Sequence, residues 1–466
     1  MTVASPNLGG PHVFGSLRAN TIADLTASEF LCLLERRKIS VGDYVRACAD
    51  RIEQFEPTHK AWTWYDRSRL EDRAATLDRT LAERPTADGL PSSLFGVPVG
   101  LKDVFNTYDM PTEMGSPIYA GYTPGNDARV VSNLRLARAL IAGKTVTAEF
   151  AVHHPGPTLN PYDAKRTPGT SSSGSAVAVA TSMVPLSLAT QTAGSIIRPA
   201  SYCGVFGFKP SFGLVPRTGV LKTTDTLDTI GWMACSVDDL SLVLEIARVR
   251  GHNYPVSEAG LADRTTRAPV NGRWRVGLVE SHVDHHQDPA VTAALRDLAH
   301  RLERHGATLV PFRLPRPLAS THDVHDVIYT CALAYYFRPE WLAKPSMFSD
   351  RLSTMIAAGL NITGARYQRA LAEQVRIARA FDEAVQSVDV LLCPSTAGEA
   401  PVGLDATDPP DTCLIWTLCG APVVSLPLLK GVNGLPVGVQ AVARRFADYP
   451  LLDFARFVER CGGAPA

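Results

Sequence analysis

Residues 169–182 read GTSSSGSAVAVATS, a Gly/Ser block that runs directly into an apolar segment. Composition of this kind is typical of a flexible linker. The apolar continuation and a second small-residue turn, TQTAGS at residues 190–195, argue against a linker here. Small residues let the backbone approach a ligand closely and point N–H groups at it, as an oxyanion hole requires. The stretch therefore predicts a structured site inside a core.

Short apolar runs alternate with helical patterns around this stretch. The alternation predicts an α/β fold. Strand-like runs occupy residues 94–99, 143–147, 275–279 and 388–392, and helical patterns occupy 130–142, 289–305 and 367–386.

The N-terminal part of the chain predicts three helices. The pair Thr26 and Glu29 fits a capping box. A second helix begins at Ser40 and Asp43 and ends near Pro57, and a third covers residues 67–83.

Composition excludes several classes of function. The chain has 466 residues, a formal net charge of zero and a pI of about 7.2, which gives no electrostatic footprint for nucleic acid. Neither a secretory signal nor an apolar run of about 20 residues is evident, so no membrane association is expected. The 9 cysteines are scattered without zinc spacing. A cytoplasmic protein with neither metal nor cofactor is therefore predicted.

Residues 169–182 do not match the motifs of other small-residue loops that bind phosphate or carry a nucleophile. Neither GxxxxGK[ST] nor GxSxG occurs at residues 169–182, and no histidine lies in a distinctive setting for a Ser-His-Asp site. A lysine is the alternative base, since burial lowers the pKa of an amine. Lys102, Lys144 and Lys209 all follow apolar runs, and local chemistry does not choose among them.

Taken together, these segments resemble the amidase signature family. That family carries a GGSSGG block, a GSIR-like serine and an upstream lysine in a G-(I/V)-P-x-x-x-K-D segment. Here the counterparts are residues 169–174, 194–198 and 96–103, and Ser171 and Ser195 are separated by the family's 24 residues. Further similarity covers residues 127–150, 204–210, 391–394 and 420–440, so nearly the whole chain is included.

The resemblance implies roles for individual residues. Ser195 matches the nucleophile, Lys102 the ultimate base, and Ser171 the bridging serine, which is held through a cis peptide bond. The backbone of Thr192, Ala193, Gly194 and Ser195 matches the oxyanion hole. Ser172 matches a position that orients the lysine, and Gln191 and Arg198 match supporting positions.

Some positions depart from the family pattern. Thr170 and Ser173 replace glycines of the block, and Ala193 replaces a glycine of the turn. If that position needs a positive φ, alanine costs roughly 1 kcal/mol. Arg198 lies one place later than usual, so the polar Asp–Arg arrangement of relatives is either rebuilt with Gln191 or lost.

The implied fold is one large α/β domain with a central twisted mixed β-sheet flanked by helices on both faces. Residues 1–70 are expected to form an N-terminal helical segment that packs on a core of residues 71–466.

The expected activity is hydrolysis of a C–N bond in an apolar or aryl amide, anilide or carbamate. Aromatic-rich segments motivate that choice, and Met114, Tyr335 and Trp416 are the candidate substrate-binding residues. If these aromatics are core packing instead, the choice loses its basis.

Three alternatives remain open: a biuret- or allophanate-type hydrolase, the amidase subunit of a tRNA amidotransferase, and a non-catalytic binding homologue. Amidotransferase relatives carry GTDTGGSIRQPA, which differs from residues 189–200 here. The expected partner is a small-molecule substrate. A homodimer, common in the family, is an open alternative.

Overall fold

One mixed β-sheet organises the chain. The computed structural model describes residues 17, 21–251, 255–262 and 273–462. In these residues eleven strands pair in the order β1-β3-β2-β4-β6-β5-β10-β11-β9-β7-β8. The strands are β1 Trp62–Tyr65, β2 Pro98–Lys102, β3 Leu140–Thr145, β4 Leu186–Gln191, β5 Phe206–Lys209, β6 Thr229–Ala234, β7 Arg275–Glu280, β8 Thr308–Arg313, β9 Val390–Pro394, β10 Val423–Lys430 and β11 Pro436–Val442.

Helices flank this sheet and bury its apolar surface. The predicted large α/β domain with a mixed sheet is therefore confirmed. The α-helices are α1 Ala27–Glu35, α2 Val41–His59, α3 Arg67–Ala82, α4 Arg129–Leu136, α5 Ser173–Ala180, α6 Ile197–Tyr202, α7 Val237–Ala247, α8 Pro255–Ala262, α9 Pro289–Arg304, α10 Thr321–Tyr336, α11 Arg338–Ala343, α12 Asp350–Leu360, α13 Gly364–Ala384, α14 Cys413–Leu418 and α15 Asp448–Gly462.

Most predicted elements exist, but the bounds of three near the site are wrong. Strand β3 covers Leu140–Thr145 rather than 143–147. Helix α4 ends at Leu136 rather than 142, because Arg138 adopts a left-handed φ of 61° that stops the helix before β3. Strand β2 covers Pro98–Lys102 rather than 94–99, so Lys102 is its last residue.

The N-terminal helices are tied to the sheet. The predicted capping box of α1 is confirmed, since Thr26 and Glu29 exchange hydrogen bonds. Strand β1 lies within the segment predicted to be helical and pairs antiparallel with β3. Helix α2 continues past Pro57 to His59. No helix within the described residues is long and apolar enough to span a bilayer.

Candidate active site

Lys102 lies where three neighbouring strands end. Strand β2 runs parallel to both β3 and β4, so their carboxyl ends share one edge of the sheet. The Lys102 side chain is fully buried. Its Nζ donates to Thr190 Oγ1 at 3.0 Å and lies 2.8 Å from Ser171 Oγ. Thr190 is a site residue that the sequence analysis missed, although it opens the turn that drew attention.

The surroundings of the Lys102 amine favour its neutral form. Burial lowers its pKa well below the ordinary value, and the negative charge of Asp228 opposes this only in part. A neutral amine carries a lone pair, so it can accept the proton of the Ser171 hydroxyl that it contacts. The pair Lys102–Ser171 can therefore act as a base.

The other two candidate lysines have different surroundings. Lys144 Nζ lies 2.8 Å from Asp103 Oδ1, so it is held in a buried ion pair. Lys209 Nζ donates to the carbonyls of Pro210 and Ala421, and burial lowers its pKa to about 7. Neither contacts a serine hydroxyl in the described residues, which separates Lys102 from both.

The Gly/Ser block forms the start of α5 rather than a linker. The Thr170–Ser171 peptide bond is cis, as the resemblance implied. A Cβ on Gly174 would lie 2.3 Å from the Ala61 carbonyl oxygen, so only glycine lets α5 approach the sheet this closely. Ser172 Oγ donates to the Thr190 carbonyl at 3.3 Å and does not contact Lys102. Ser172 is therefore connected to the amine only indirectly, by its hydrogen bond to Thr190 and its peptide bond to Ser171.

Gln191 closes the turn of residues 192–195. Its Oε1 accepts from the N–H groups of Ile196 and Ile197 at 2.9 and 3.1 Å. Its Nε2 donates to Thr417 Oγ1 at 3.0 Å. Each half of the carboxamide is used, and the side chain is fully buried.

The carbonyl groups of this turn are engaged at three successive residues. Thr192 O accepts from His325 Nε2 at 2.9 Å, and Ala193 O accepts from Thr417 Oγ1 at 2.7 Å. Gly194 O accepts from the Arg198 N–H at 2.9 Å. No pattern in the sequence pointed to His325 or Thr417, which lie far along the chain.

Unlike the carbonyl groups of the turn, the N–H groups of Ala193, Gly194 and Ser195 make no hydrogen bond within the described part of the chain. Buried backbone N–H groups almost always have a partner, so these three N–H groups are available to bind an oxygen ligand. The strain considered for Ala193 does not arise, since its φ is not positive.

Ser195 is half-buried at the end of the turn. Its hydroxyl makes no hydrogen bond among the described residues, so the structure joins Lys102 to Ser171 but does not join Ser171 to Ser195. Such contacts are often long before substrate binds.

Arg198 does not pair with Gln191. Its Nε donates to Asp411 Oδ2 at 2.6 Å, and its Nη1 lies 3.6 Å from Asp408 Oδ2. Burial lowers the pKa of Arg198, but the charges of Asp411 and Asp408 outweigh burial and raise it well above the ordinary value. A Cβ on Gly194 would lie 2.8 Å from Arg198 Nε, so the glycine makes room for this buried arginine.

The three candidate substrate-binding residues are not brought together. Tyr335 is 72% exposed on the outer face of α10, while Trp416 is fully buried against Phe381. Met114 is buried in the main core. None of the three lines the cavity beside the site.

That cavity has a volume of about 240 Å³. It lies below the roughly 300–1,000 Å³ of typical ligand pockets, so it suits a small substituent. Asp228 in its wall accepts from Thr192 Oγ1 at 2.8 Å. The lining residues are Val104, Ala151, Thr190, Thr192, Arg217, Val220, Leu221, Lys222, Thr223, Asp228, Thr229 and Ile230.

Comparison with known proteins identifies the family of this chain. A sequence profile of the family described as Amidase matches residues 43–452. Fold and match together define an amidohydrolase that acts on C–N bonds. The chain belongs to the amidase (amidase signature) family.

Similar proteins match this chain over nearly its whole length. One subunit of the glutamyl-tRNA(Gln) amidotransferase of Chloroflexus aggregans is 32% identical over 92% of this chain and 94% of its own. The corresponding subunit from Anaeromyxobacter sp. (strain K) is 34% identical over 92% and 95%. A solved amidase structure is 28% identical with a TM-score of 0.82, over 93% and 99%. Peptide amidase from Stenotrophomonas maltophilia is 26% identical with a TM-score of 0.79, over 95% and 97%.

Proposed function

We propose that this protein hydrolyses the C–N bond of a small amide, with Ser195 as nucleophile, Ser171 as proton carrier and Lys102 as final base. The observation that carries the proposal is the 2.8 Å contact between Ser171 and the fully buried Lys102 amine. A serine hydroxyl is a weak nucleophile until a base takes its proton. The neutral amine supplies that base at neutral pH.

The reaction proceeds in two halves. Ser195 Oγ attacks the amide carbonyl while its proton passes to Ser171, whose own proton passes to Lys102. The tetrahedral intermediate then collapses, the C–N bond breaks, and the relay returns a proton to the leaving amine. Water attacks the resulting ester by the same route and releases the acid, so atoms and protons balance.

The unpaired N–H groups of Ala193, Gly194 and Ser195 are the proposed donors to the oxyanion. The carbonyls of Thr192 and Ala193 belong to the same peptide groups as the N–H of Ala193 and Gly194, and they already accept hydrogen bonds on the opposite side. The N–H groups therefore remain available for the developing charge. One donor of this kind contributes about 10²–10³-fold to kcat. The relay also needs Ser195 Oγ and Ser171 Oγ to come within hydrogen-bond distance when substrate enters.

Substrate preference follows from the cavity rather than from the aromatic segments. Tyr335 and Trp416 lie outside the cavity, so the basis for preferring aryl amides and carbamates is lost. The cavity beside Thr190 and Thr192 favours a small amide of mixed polarity, processed by a cytoplasmic enzyme.

A second candidate function is the amidase subunit of a tRNA-dependent amidotransferase. It is favoured by relatives that belong to glutamyl-tRNA(Gln) amidotransferases, which are 30–34% identical over more than nine tenths of the chain. In that case glutamine is the amide, and both tRNA and partner subunits are required. The neutral net charge would then reflect binding through a partner rather than an absence of nucleic acid.

The test is a substrate panel: benzamide, p-nitroacetanilide, phenyl carbamate, biuret and glutamine, assayed by ammonia or chromophore release. We expect turnover of at least one member by the wild type and none by Ser195→Ala or Ser171→Ala. Ser173→Ala is the matched control, because the Ser173 hydroxyl has no hydrogen-bond partner in the described residues. Full activity of Ser195→Ala would overturn the proposal. Turnover of glutamine alone would favour the second candidate.

A further inference from the structure

His325 reaches the turn of residues 192–195 from helix α10. It is 3% exposed, and its Nε2 lies 2.9 Å from the Thr192 carbonyl oxygen. A carbonyl only accepts, so Nε2 carries the hydrogen and donates. Burial lowers the pKa of His325 to about 4, so the ring is neutral at neutral pH.

The hydrogen bond from His325 fixes the orientation of the peptide group between Thr192 and Ala193. A trans peptide is planar, with the C=O of one residue opposite to the N–H of the next. Holding the Thr192 carbonyl toward α10 therefore points the Ala193 N–H the other way. The 2.7 Å bond from Thr417 Oγ1 to the Ala193 carbonyl fixes the Gly194 N–H in the same manner.

We propose that His325 is a positioning residue for amide cleavage, because it holds the Thr192–Ala193 peptide with its N–H toward the oxyanion. The inference rests on the proposed function and adds a contribution from α10, a helix outside the segments that carry the serines and the lysine. Without the donor, this peptide can rotate and turn a carbonyl oxygen toward the developing negative charge.

A purely structural role is the alternative, in which the hydrogen bond only docks α10. The two roles predict different results for a variant that replaces the ring but keeps a hydrogen-bond donor. A donor restores activity if His325 positions the peptide. Gln places an amide nitrogen about as far from Cα as Nε2, whereas Phe keeps the ring and removes the donor. Thr330→Val is the matched control on the same helix, since the only hydrogen bond of the Thr330 hydroxyl within the described chain is to Asp326, at 3.3 Å.

The experiment uses the full chain and two readouts. The first is kcat and KM on the best panel substrate. The second is the labelling rate by a fluorophosphonate. In this reaction Ser195 Oγ bonds to phosphorus, its proton passes to Ser171 and Lys102, fluoride leaves, and the phosphoryl oxygen occupies the oxyanion site. Thermal unfolding of each variant reports on docking of α10.

We expect His325→Phe to lower kcat and the labelling rate about 10–100-fold with KM within about threefold, a fraction of a full donor loss. His325→Gln recovers most of both rates, and Thr330→Val matches the wild type. Wild-type rates in a folded His325→Phe, or equal losses in the Gln and Phe variants, would overturn the inference. Labelling that persists in Ser195→Ala would instead overturn the proposed function itself. If His325→Phe fails to fold, the comparison of His325→Gln with His325→Asn, whose amide is too short to reach, decides.

Discussion

Replacing Lys102 by Met should make the protein more stable and inactive at the same time. In the folded protein the amine is fully buried and its pKa is well below the ordinary value. Keeping an amine neutral at about pH 7, against an unfolded pKa near 10.4, costs about 4–5 kcal/mol. Met fills a similar volume and removes that cost.

The substitution also loses two hydrogen bonds, to Ser171 and Thr190, at about 1 kcal/mol each. The net expectation is a gain of about 2–3 kcal/mol in the free energy of unfolding. For a chain of 466 residues this raises Tm by about 2–3 °C. Loss of the base lowers kcat about 10²–10⁴-fold.

The stability difference between Lys102→Met and the wild type should depend on pH in one direction. Because the folded pKa lies below the unfolded one, the unfolded chain holds this proton more tightly, and the contribution of Lys102 to wild-type stability rises with pH until about pH 10. The advantage of Lys102→Met over the wild type therefore shrinks as pH rises from about 7 to 10. Differential scanning fluorimetry across this range measures it.

Lys144→Met is the contrasting control. It leaves Asp103 buried without its ion partner, and should destabilise the protein by about 3–5 kcal/mol. A Lys102→Met variant that is less stable than the wild type at neutral pH, or whose kcat is within threefold of it, refutes the reasoning.

Three further substitutions probe the same site. Thr190→Val removes one of two contacts of Lys102, and should lower kcat about tenfold with KM unchanged, by steady-state kinetics; a change confined to KM contradicts this. Gln191→Ala leaves two buried N–H groups unpaired, and chemical denaturation should show a loss of about 2–4 kcal/mol; a neutral effect argues against its role in closing the turn. Arg198→Met leaves the buried Asp411 carboxylate without its ion partner, and the free energy of unfolding should fall by about 3–5 kcal/mol. Adding Asp411→Asn in the same chain should restore part of this loss. A loss that the second substitution does not relieve points to packing instead.

Much of the fold could be predicted from local patterns. The cap at Thr26 and the helix predicted over residues 289–305 follow from residues close in sequence, and both are present, the helix as Pro289–Arg304. The strand predicted at residues 94–99 begins four residues before the observed β2, because residues 94–97 form turns that pack into the core and the strand itself begins only at Pro98. Burial and strand pairing are separate properties, and an apolar run reports only the first.

The candidate substrate-binding residues show a second limit of prediction from sequence. Tyr335 in α10 and Trp416 in α14 are both aromatic residues of helices, yet one is on the surface and the other in the core. Aromatic composition does not state which side of a helix faces a cavity. That depends on how α10 and α14 pack against elements distant in the chain.

The Gly/Ser block, the serine pair 24 residues apart and the α/β fold could all be recognised before folding, because each depends on residues near one another. Local chemistry left the choice among three buried lysines open, and the family resemblance assigned the base to Lys102. The physical reason lies in the fold, since Lys102 meets a serine, whereas Lys144 meets a carboxylate and Lys209 meets carbonyls. Folding also brings His325 and Thr417 to the carbonyls of the turn, across 133 and 224 residues. Hydrogen bonds over such separations leave no local periodicity in the chain, so three-dimensional packing alone defines them.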